Sequence, residues 1–162
     1  MEPLRSPLSK ALEREMISLR PLKFDELETI NQLDKQSHAR KFVNGTGIKT
    51  HQISFNAHNI NYLSIENNST EFCGYFILVE EPNTGSIEFR RVIIDQTKRG
   101  IGQVAITEME RYCKRIFNVS RIWLDVYEDN EIGLYIYKKM GYKWFKEESV
   151  EGRMLYFYEK TL

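Results

Sequence analysis

The sequence predicts a mixed α/β domain in which one central, mostly antiparallel sheet of six to seven strands carries helices on both faces. Seven short segments are rich in strand-forming residues, and apolar residues at helical spacing lie between several of them. The length of 162 residues is enough for one hydrophobic core and short for two. Residues 1–14 are polar with two prolines, so we expect an N-terminal extension followed by one domain over residues 15–162.

The first elements are read from residues 16 to 58. The first strand is predicted at 16–22 and the first helix at 24–36. Asp25 is placed to cap this helix, with Glu28 three residues later. Residues 36–58 have weak periodicity and predict the end of the helix and a loop.

The strands and helices after residue 58 have clearer sequence patterns. Six further strands are predicted at 59–66, 72–81, 87–94, 121–127, 142–148 and 153–160. The segment at 121–127, "RIWLDVY", is apolar through its centre, which predicts burial on both faces. A helical stripe from Ile101 to Ile116 joins the fourth and fifth strands, which predicts a right-handed parallel crossover. A second helix follows, with Asn130 placed to cap it and Gly141 to end it.

Composition excludes several classes of protein. The 23 basic and 23 acidic residues give no net charge, so we expect no binding to nucleic acid or to a membrane. Cys73 and Cys113 are too few for a disulfide framework and should be buried thiols. His38, His51 and His58 lack the spacing of metal ligands, so we expect surface or loop positions and no metal. Without a membrane-length apolar run or signal peptide, the expected location is cytoplasmic.

The segment "TKRGIG", residues 97–102, lies where a strand turns into a helix. A helix N-terminus leaves backbone N–H groups without partners, and glycines let a ligand approach them closely. Lys98 and Arg99 add charge to the helix dipole, so the segment predicts a site for phosphate, most naturally a pyrophosphate. Taken alone, it also fits a tight turn without a ligand, because the P-loop and dinucleotide-binding patterns are incomplete.

Three motifs in order are more specific than this one. "IEFRRVII" runs into "TKRGIG", and "RIWLDVYEDN" and "NEIGLYIYKKMGYK" follow. Over roughly residues 15–160 this pattern resembles the GCN5-related N-acetyltransferase (GNAT) superfamily, and "RIWLDVYEDN" is similar to its ribosomal-protein-alanine and spermidine acetyltransferase branch. The resemblance implies the GNAT fold, with a V-shaped splay between the fourth and fifth strands, and an acetyl-CoA-dependent N-acetyltransferase. Thr97 and Gly133 depart from the family, which usually has Gln or Arg and Ala there.

The resemblance also implies where acetyl-CoA binds. The pyrophosphate would lie on backbone amides of the glycine loop, and the pantetheine arm would pair with the fourth strand like an added strand. The implied cofactor-binding residues are Val92, Ile94, Thr97, Lys98, Arg99, Gly100, Ile101, Gly102, Gln103, Asn130 and Tyr137.

Two catalytic residues are expected by the same resemblance. Tyr137 matches the family's tyrosine that protonates the leaving thiolate, since the pKa of a phenol, about 10, is close to that of a thiol. Tyr135 is expected to pack instead. Glu88 is the candidate base. Simple alternation along the strand would put its side chain on the same face as Arg90 and Val92. A salt-bridged strand residue is the alternative account of Glu88.

The acceptor and the class of function stay open at this point. A protein N-terminus, a polyamine or another small amine fits the family. Asp125, Glu128 and Asp129 either attract a cationic amine or form a solvated loop. The aromatic-rich last strands suit an acceptor groove, a homodimer surface or the core. The alternative function is a non-catalytic acyl-CoA-binding or regulatory module, and a weaker one is a nucleotide-binding enzyme that uses the glycine turn.

Overall fold

One seven-stranded sheet organises the described part of the chain, which comprises residues 17–40, 47–98 and 100–162 of a computed structural model. The strands are β1 (Ser18–Pro21), β2 (Ile60–Glu66), β3 (Phe72–Glu81), β4 (Ser86–Ile94), β5 (Arg121–Tyr127), β6 (Lys143–Val150) and β7 (Arg153–Thr161). They lie in the order β1-β2-β3-β4-β5-β7-β6. All neighbours are antiparallel except β4 and β5, which are parallel. The predicted mixed sheet and parallel crossover are confirmed, whereas the predicted extension, residues 1–14, lies outside the described residues.

Five α-helices are described. They are α1 (Leu27–Leu33), α2 (Ser37–Arg40), α3 (Ile48–Asn56), α4 (Gly102–Tyr112) and α5 (Glu131–Lys139). A π-helical turn, Cys113–Phe117, extends α4, and short 3-10 turns lie at Phe24–Glu26 and Gln96–Lys98. No helix among the described residues has the length and apolarity needed to cross a membrane.

The N-terminal helices differ from the prediction in two ways. Lys23 is the N-cap of the 3-10 turn that leads into α1, and its backbone N–H donates to the Glu26 carboxylate at 3.0 Å. The N-cap of α1 itself is Glu26, so the predicted cap by Asp25 is wrong. Helix α3 occupies part of the segment predicted as a loop. Its one buried residue is the polar His51, so apolar periodicity could not reveal it.

Two apolar clusters hold the helices on opposite faces of the sheet, as predicted. Side chains of α4 and α5 pack on one face with residues such as Phe76 and Leu124, and we call this the α4–α5 face. Side chains of α1, α2 and α3 pack on the other face with residues such as Tyr75 and Ile77, and we call this the α1–α3 face. Both cysteines are buried thiols, as predicted.

Strand β5 is buried on one face only. Ile122, Leu124 and Val126 enter the cluster of the α4–α5 face. Trp123 and Asp125 alternate with them and point to the α1–α3 face, where Asp125 is exposed. The prediction of burial on both faces is therefore wrong, because α1 and α3 pack on β3 and β2 rather than on this half of the sheet.

A β-bulge in β4 changes which of its residues share a face. The register with β3 shifts at Arg90, which is the extra residue. Val92 and Ile94 consequently pack against the same cluster as Phe89, on the α4–α5 face. Glu88 points to the opposite face. The predicted alternation, which put Glu88 and Val92 on one face, is wrong because it assumed an unbroken strand.

Strands β4 and β5 separate soon after they pair. Their pairing covers only Ser86–Glu88 of β4 and Arg121–Trp123 of β5. Beyond this point β4 runs on beside β3, and β5 runs on beside β7. The V-shaped splay between the fourth and fifth strands is thus present, and we call the gap the opening.

Strand β3 approaches the end of β4 closely at Gly74. A Cβ atom at Gly74 would lie 2.2 Å from the carbonyl oxygen of Ile93 and 3.0 Å from the Cα atom of Ile94. Both atoms belong to the backbone inside the sheet, which cannot move aside without breaking its pairing with β3.

We predict that Gly74→Ala lowers the free energy of unfolding by about 3 kcal/mol or more, because the methyl group forces β3 and β4 apart. Urea denaturation measures the change. Gly47→Ala is the matched control, since a Cβ atom there meets nothing within 4 Å, and it should cost less than about 1 kcal/mol. Equal midpoints for Gly74→Ala and the unsubstituted protein would contradict the prediction.

Candidate active site

The opening exposes the backbone edge of β4. The N–H of Asp95 donates to the carbonyl of Cys73 on β3 at 2.7 Å. Because successive residues of a strand direct their N–H and C=O groups to alternate sides, Val92 and Ile94 direct theirs away from β3 and into the opening. An extended ligand can hydrogen-bond to such an edge as an added strand.

The glycine loop leads into α4 with unpaired donors. The first hydrogen bond of the helix runs from the N–H of Ala105 to the carbonyl of Ile101 at 2.8 Å. The N–H groups of residues 102–104 precede it and have no partner among the described residues. Gly100 has φ of 93°, which glycine adopts without strain, and Cβ atoms at Gly100 and Gly102 would meet nothing within 4 Å. The start of this 11-residue helix is therefore open to an anionic group.

The first part of the loop is already engaged. The Asp95 carboxylate accepts hydrogen bonds from the N–H and hydroxyl of Thr97, both at 2.9 Å, and the Asp95 carbonyl accepts from the N–H of Lys98. The Lys98 ammonium binds Glu71 at 2.9 Å, which raises the pKa of Lys98 and lowers that of Glu71. The donors available to a phosphate therefore begin after Lys98. Arg99, also predicted to bind the cofactor, lies outside the described residues.

A cavity of about 510 Å³ connects the strand edge with the helix N-terminus. Ile94, Gly100 and Gln103 line it, together with Ile136 of α5 and His38 of α2. Of the residues predicted to bind the cofactor, the structure thus brings Ile94, Gly100, Gly102 and Gln103 together around one space.

Tyr137 lies on the α4–α5 face beside the opening. Its ring meets Phe89 of β4 edge-on, with ring centroids 5.8 Å apart, and Tyr142 at 6.0 Å. Burial raises the pKa of Tyr137 to about 12, and the charge of Asp125 adds to the effect. The raised pKa keeps the hydroxyl protonated at neutral pH, and this hydroxyl has no hydrogen-bond partner among the described residues. Tyr135 is 64% exposed, so the expectation that it packs is wrong.

Asn130 caps α5 as predicted. Its side-chain oxygen accepts a hydrogen bond from the N–H of Gly133 at 3.0 Å. A Cβ atom at Gly133 would lie 2.7 Å from the Asn130 side-chain nitrogen, which explains the glycine at a position where the family commonly has Ala. Gly141, with φ of 93°, follows the end of the helix.

Two carboxylates lie at the opening on the α1–α3 face. Glu88 is the last residue of β4 that pairs with β5, opposite Trp123, and its carboxylate binds Arg90 at 2.8 Å. Asp125 lies two residues beyond Trp123 on β5. The packing around its carboxylate raises the pKa of Asp125, and the charge of Glu88 raises it further. The charge of Asp125 also raises the pKa of Tyr137, although Tyr137 lies on the α4–α5 face.

Aromatic side chains continue this surface. Trp123 stacks on Phe157 of β7, with ring centroids 6.1 Å apart, and donates from Nε1 to Glu81 at 2.6 Å. Glu148 of β6 contributes to the raised pKa of Asp125. Phe157 is buried, whereas Trp144 on edge strand β6 is 53% exposed, so the last strands supply both core and surface.

His58 is exposed in a turn, as predicted, whereas His51 is placed differently from the prediction. His51 is fully buried and bonds to the Asp34 carboxylate at 2.7 Å and the Tyr62 hydroxyl at 2.8 Å, while Tyr75 donates to the same carboxylate at 2.5 Å. The expectation of a surface or loop position is wrong for His51, because these partners satisfy both ring nitrogens. Within residues 17–40, 47–98 and 100–162, no three His, Cys, Asp or Glu side chains form a group that could hold a metal.

Comparison with solved structures supports the fold. The Vibrio cholerae spermidine N-acetyltransferase in complex with CoA and spermine superposes with a TM-score of 0.78 at 17% identity, covering 90% of this chain and 95% of that one. A chimera of the Vibrio cholerae enzyme SpeG with hSSAT gives 0.77 at 19% identity, with the same coverage. A dodecameric structure of the Vibrio cholerae enzyme gives 0.69 at 17% identity, covering 90% and 94%.

Comparison with sequences identifies the family. No curated protein sequence matches the chain significantly. The model of the acetyltransferase (GNAT) family matches residues 25–142, which is more than half of the chain. The chain therefore belongs to the acetyltransferase (GNAT) family, which confirms the predictions of a GNAT fold, an N-acetyltransferase and acetyl-CoA as its co-substrate.

Proposed function

We propose that this protein transfers the acetyl group of acetyl-CoA directly to a cationic primary amine within a ternary complex. The supporting observation is the opening between β4 and β5. It has an unpaired strand edge and a helix N-terminus on one side, and carboxylates on the other. The thioester and the amine would then meet from opposite faces of the sheet.

The residues around the opening fit a CoA thioester. The N–H groups of residues 102–104 offer converging donors to the pyrophosphate, with space above Gly100 and Gly102. The amides of the pantetheine arm require hydrogen-bond partners on a strand edge. The backbone groups of Val92 and the N–H of Ile94 can provide them. Gln103 lines the same cavity. Lys98 forms an ion pair with Glu71. It can therefore contribute to phosphate binding only to the extent that this ion pair breaks.

The reaction needs an oxyanion donor, a proton for the leaving thiolate and a neutral amine. A backbone N–H on the β4 edge stabilises the negative charge on the thioester oxygen. The new C–N bond forms as the C–S bond breaks, and the Tyr137 hydroxyl gives its proton to the thiolate sulfur. The ammonium nitrogen loses two protons in all. The first passes to a carboxylate at the opening, directly or through water, and leaves the neutral amine that attacks. The second leaves after the C–N bond forms and returns through water to the tyrosinate, so no covalent enzyme intermediate is required.

Glu88 is the proposed base because it lies where β4 and β5 part. Its carboxylate binds Arg90 at 2.8 Å, and a carboxylate can accept a proton from an ammonium group. Asp125 is the second candidate, since its raised pKa brings its proton affinity closer to that of an amine.

The acceptor is proposed to be a polyamine. Glu88, Asp125 and Glu148 lie on one face, where Glu88 is paired with Arg90 and Glu148 with Lys146. Asp125 has no ion-pair partner among the described residues, and the ring of Trp123 precedes it by two positions on the same strand face. Carboxylates and aromatic rings both attract ammonium groups. The structurally similar Vibrio cholerae enzyme that binds CoA and spermine supports the same class.

Acceptor choice is tested by following thiol release from acetyl-CoA with spermidine, spermine, a peptide bearing a free N-terminus and an aminoglycoside. We expect kcat/KM to be about 10-fold or more higher for the polyamines than for the peptide, and KM to rise with salt because charge attracts the acceptor. A preference for the peptide would overturn the acceptor proposal. CoA binding by calorimetry without turnover of any amine would favour the non-catalytic module.

Tyr137→Phe is predicted to lower kcat by about 100-fold or more, because the thiolate then leaves without a proton. The Kd for CoA, measured by calorimetry, should change little, since the phenyl ring keeps its contacts with Phe89 and Tyr142. Tyr135→Phe is the matched control on the exposed side of the same helix and should leave kcat unchanged. Wild-type kcat in Tyr137→Phe would remove Tyr137 from the mechanism.

Glu88→Gln is predicted to lower kcat/KM for the amine by about 100-fold, because the substituted side chain cannot take the ammonium proton. Steady-state kinetics measures the loss, and Glu147→Gln on the exposed edge strand β6 is the control. If Glu88→Gln keeps its activity while Asp125→Asn loses it, the base is Asp125.

A further inference from the structure

One side chain from α2 reaches the exposed edge of β4. The Nε2 atom of His38 lies 2.6 Å from the carbonyl oxygen of Ile94. A carbonyl oxygen only accepts hydrogen bonds, so Nε2 carries the proton and donates. The other ring nitrogen, Nδ1, has no partner among the described residues, so the bond to Ile94 is the hydrogen bond that orients the ring.

Gln36, two residues before His38, also contacts the junction between β4 and the glycine loop. The side-chain oxygen of Gln36 accepts from the N–H of Gln96 at 3.1 Å, and its nitrogen donates to the Asp95 carboxylate at 3.4 Å. Residues 36–38 are thus bonded to residues 94–96, where β4 ends and the glycine loop begins.

This contact limits what a ligand can bind on the β4 edge. Ile94 directs both its N–H and its C=O into the opening, and His38 already donates to this C=O. The backbone groups of Val92 and the N–H of Ile94 remain for a ligand arm. His38 also lines the cavity between this edge and the start of α4. A ligand amide that also donated to the Ile94 carbonyl would compete with His38, so the register that leaves this carbonyl to His38 is favoured.

We propose that His38 is a positioning residue for the acyl-CoA. The His38 ring donates to the carbonyl of Ile94 and so keeps this carbonyl from pairing with the ligand. The contact thereby fixes how far the pantetheine arm advances toward Tyr137. This inference rests on the proposed function of the site.

The test compares His38→Ala with His38→Gln, whose side-chain nitrogen can donate from nearly the position of Nε2. His58→Ala, at an exposed histidine, is the control. Calorimetry gives the Kd for CoA and for adenosine 3′,5′-bisphosphate, which lacks the pantetheine arm, and kinetics gives kcat and KM for acetyl-CoA.

We expect His38→Ala to raise the Kd for CoA and the KM for acetyl-CoA by about 5- to 10-fold, the effect of one lost hydrogen bond. The nucleotide fragment should bind as before, His38→Gln should stay within about 2-fold of the unsubstituted protein, and His58→Ala should match it. If His38→Ala does not fold, His38→Asn replaces it, because its shorter amide does not reach Ile94.

Two results overturn the inference. One is unchanged CoA binding and KM in the folded variant. The other is equal weakening for CoA and for the nucleotide fragment, with a lower Tm and no rescue by His38→Gln, because that pattern describes a structural contact alone. Failure of the unsubstituted protein to bind CoA would instead overturn the proposed function itself.

Discussion

The end of pairing between β4 and β5 is the constraint on which the rest of the site depends. A backbone edge inside a sheet needs hydrogen-bond partners, and beyond Glu88 the β4 edge loses those of β5. The sheet tolerates the gap because β3 stays paired with β4 along its length, and β7 stays paired with β5. Gly74 lets β3 remain this close to the end of β4. The gap is thus built into a rigid frame, and a ligand that brings its own amides can complete the sheet.

The bulge at Arg90 decides which groups face each side of this gap. Without it, Glu88 and Val92 would share a face, and the carboxylate would lie among the apolar residues under α4 and α5. With it, Val92 packs into that cluster beside Tyr137, and Glu88 faces the opposite surface with Asp125. The bulge therefore leaves Tyr137 and Glu88 on opposite faces of the sheet, which fits the proposal that the two substrates arrive from opposite directions.

Local patterns predicted the strands and the helices that flank the opening, because those residues are apolar at the period of their element. They failed where the deciding contacts are remote in sequence. His51 places α3 through Asp34 and Tyr62, and no periodicity records such a polar contact. The bulge was missed because alternation assumes a regular strand. The contact of His38 with Ile94 joins residues 56 positions apart, so spacing could not have shown it.

The largest cause of the pKa shift is the same for two groups at the opening, Tyr137 and Asp125. Packing around each of them disfavours its charged form, so the pKa of Tyr137 rises to about 12 and the pKa of Asp125 rises as well. For a carboxyl group this shift destabilises the folded state once pH exceeds the ordinary pKa of Asp, and the cost disappears below it, where the group is protonated in both states. Ionisation of Asp125 therefore destabilises the fold, by an amount that its exposed position keeps small. Perturbed pKa values of this kind cluster at functional sites, and the greater proton affinity of its carboxylate suits the proposed role of Asp125 as the second candidate base.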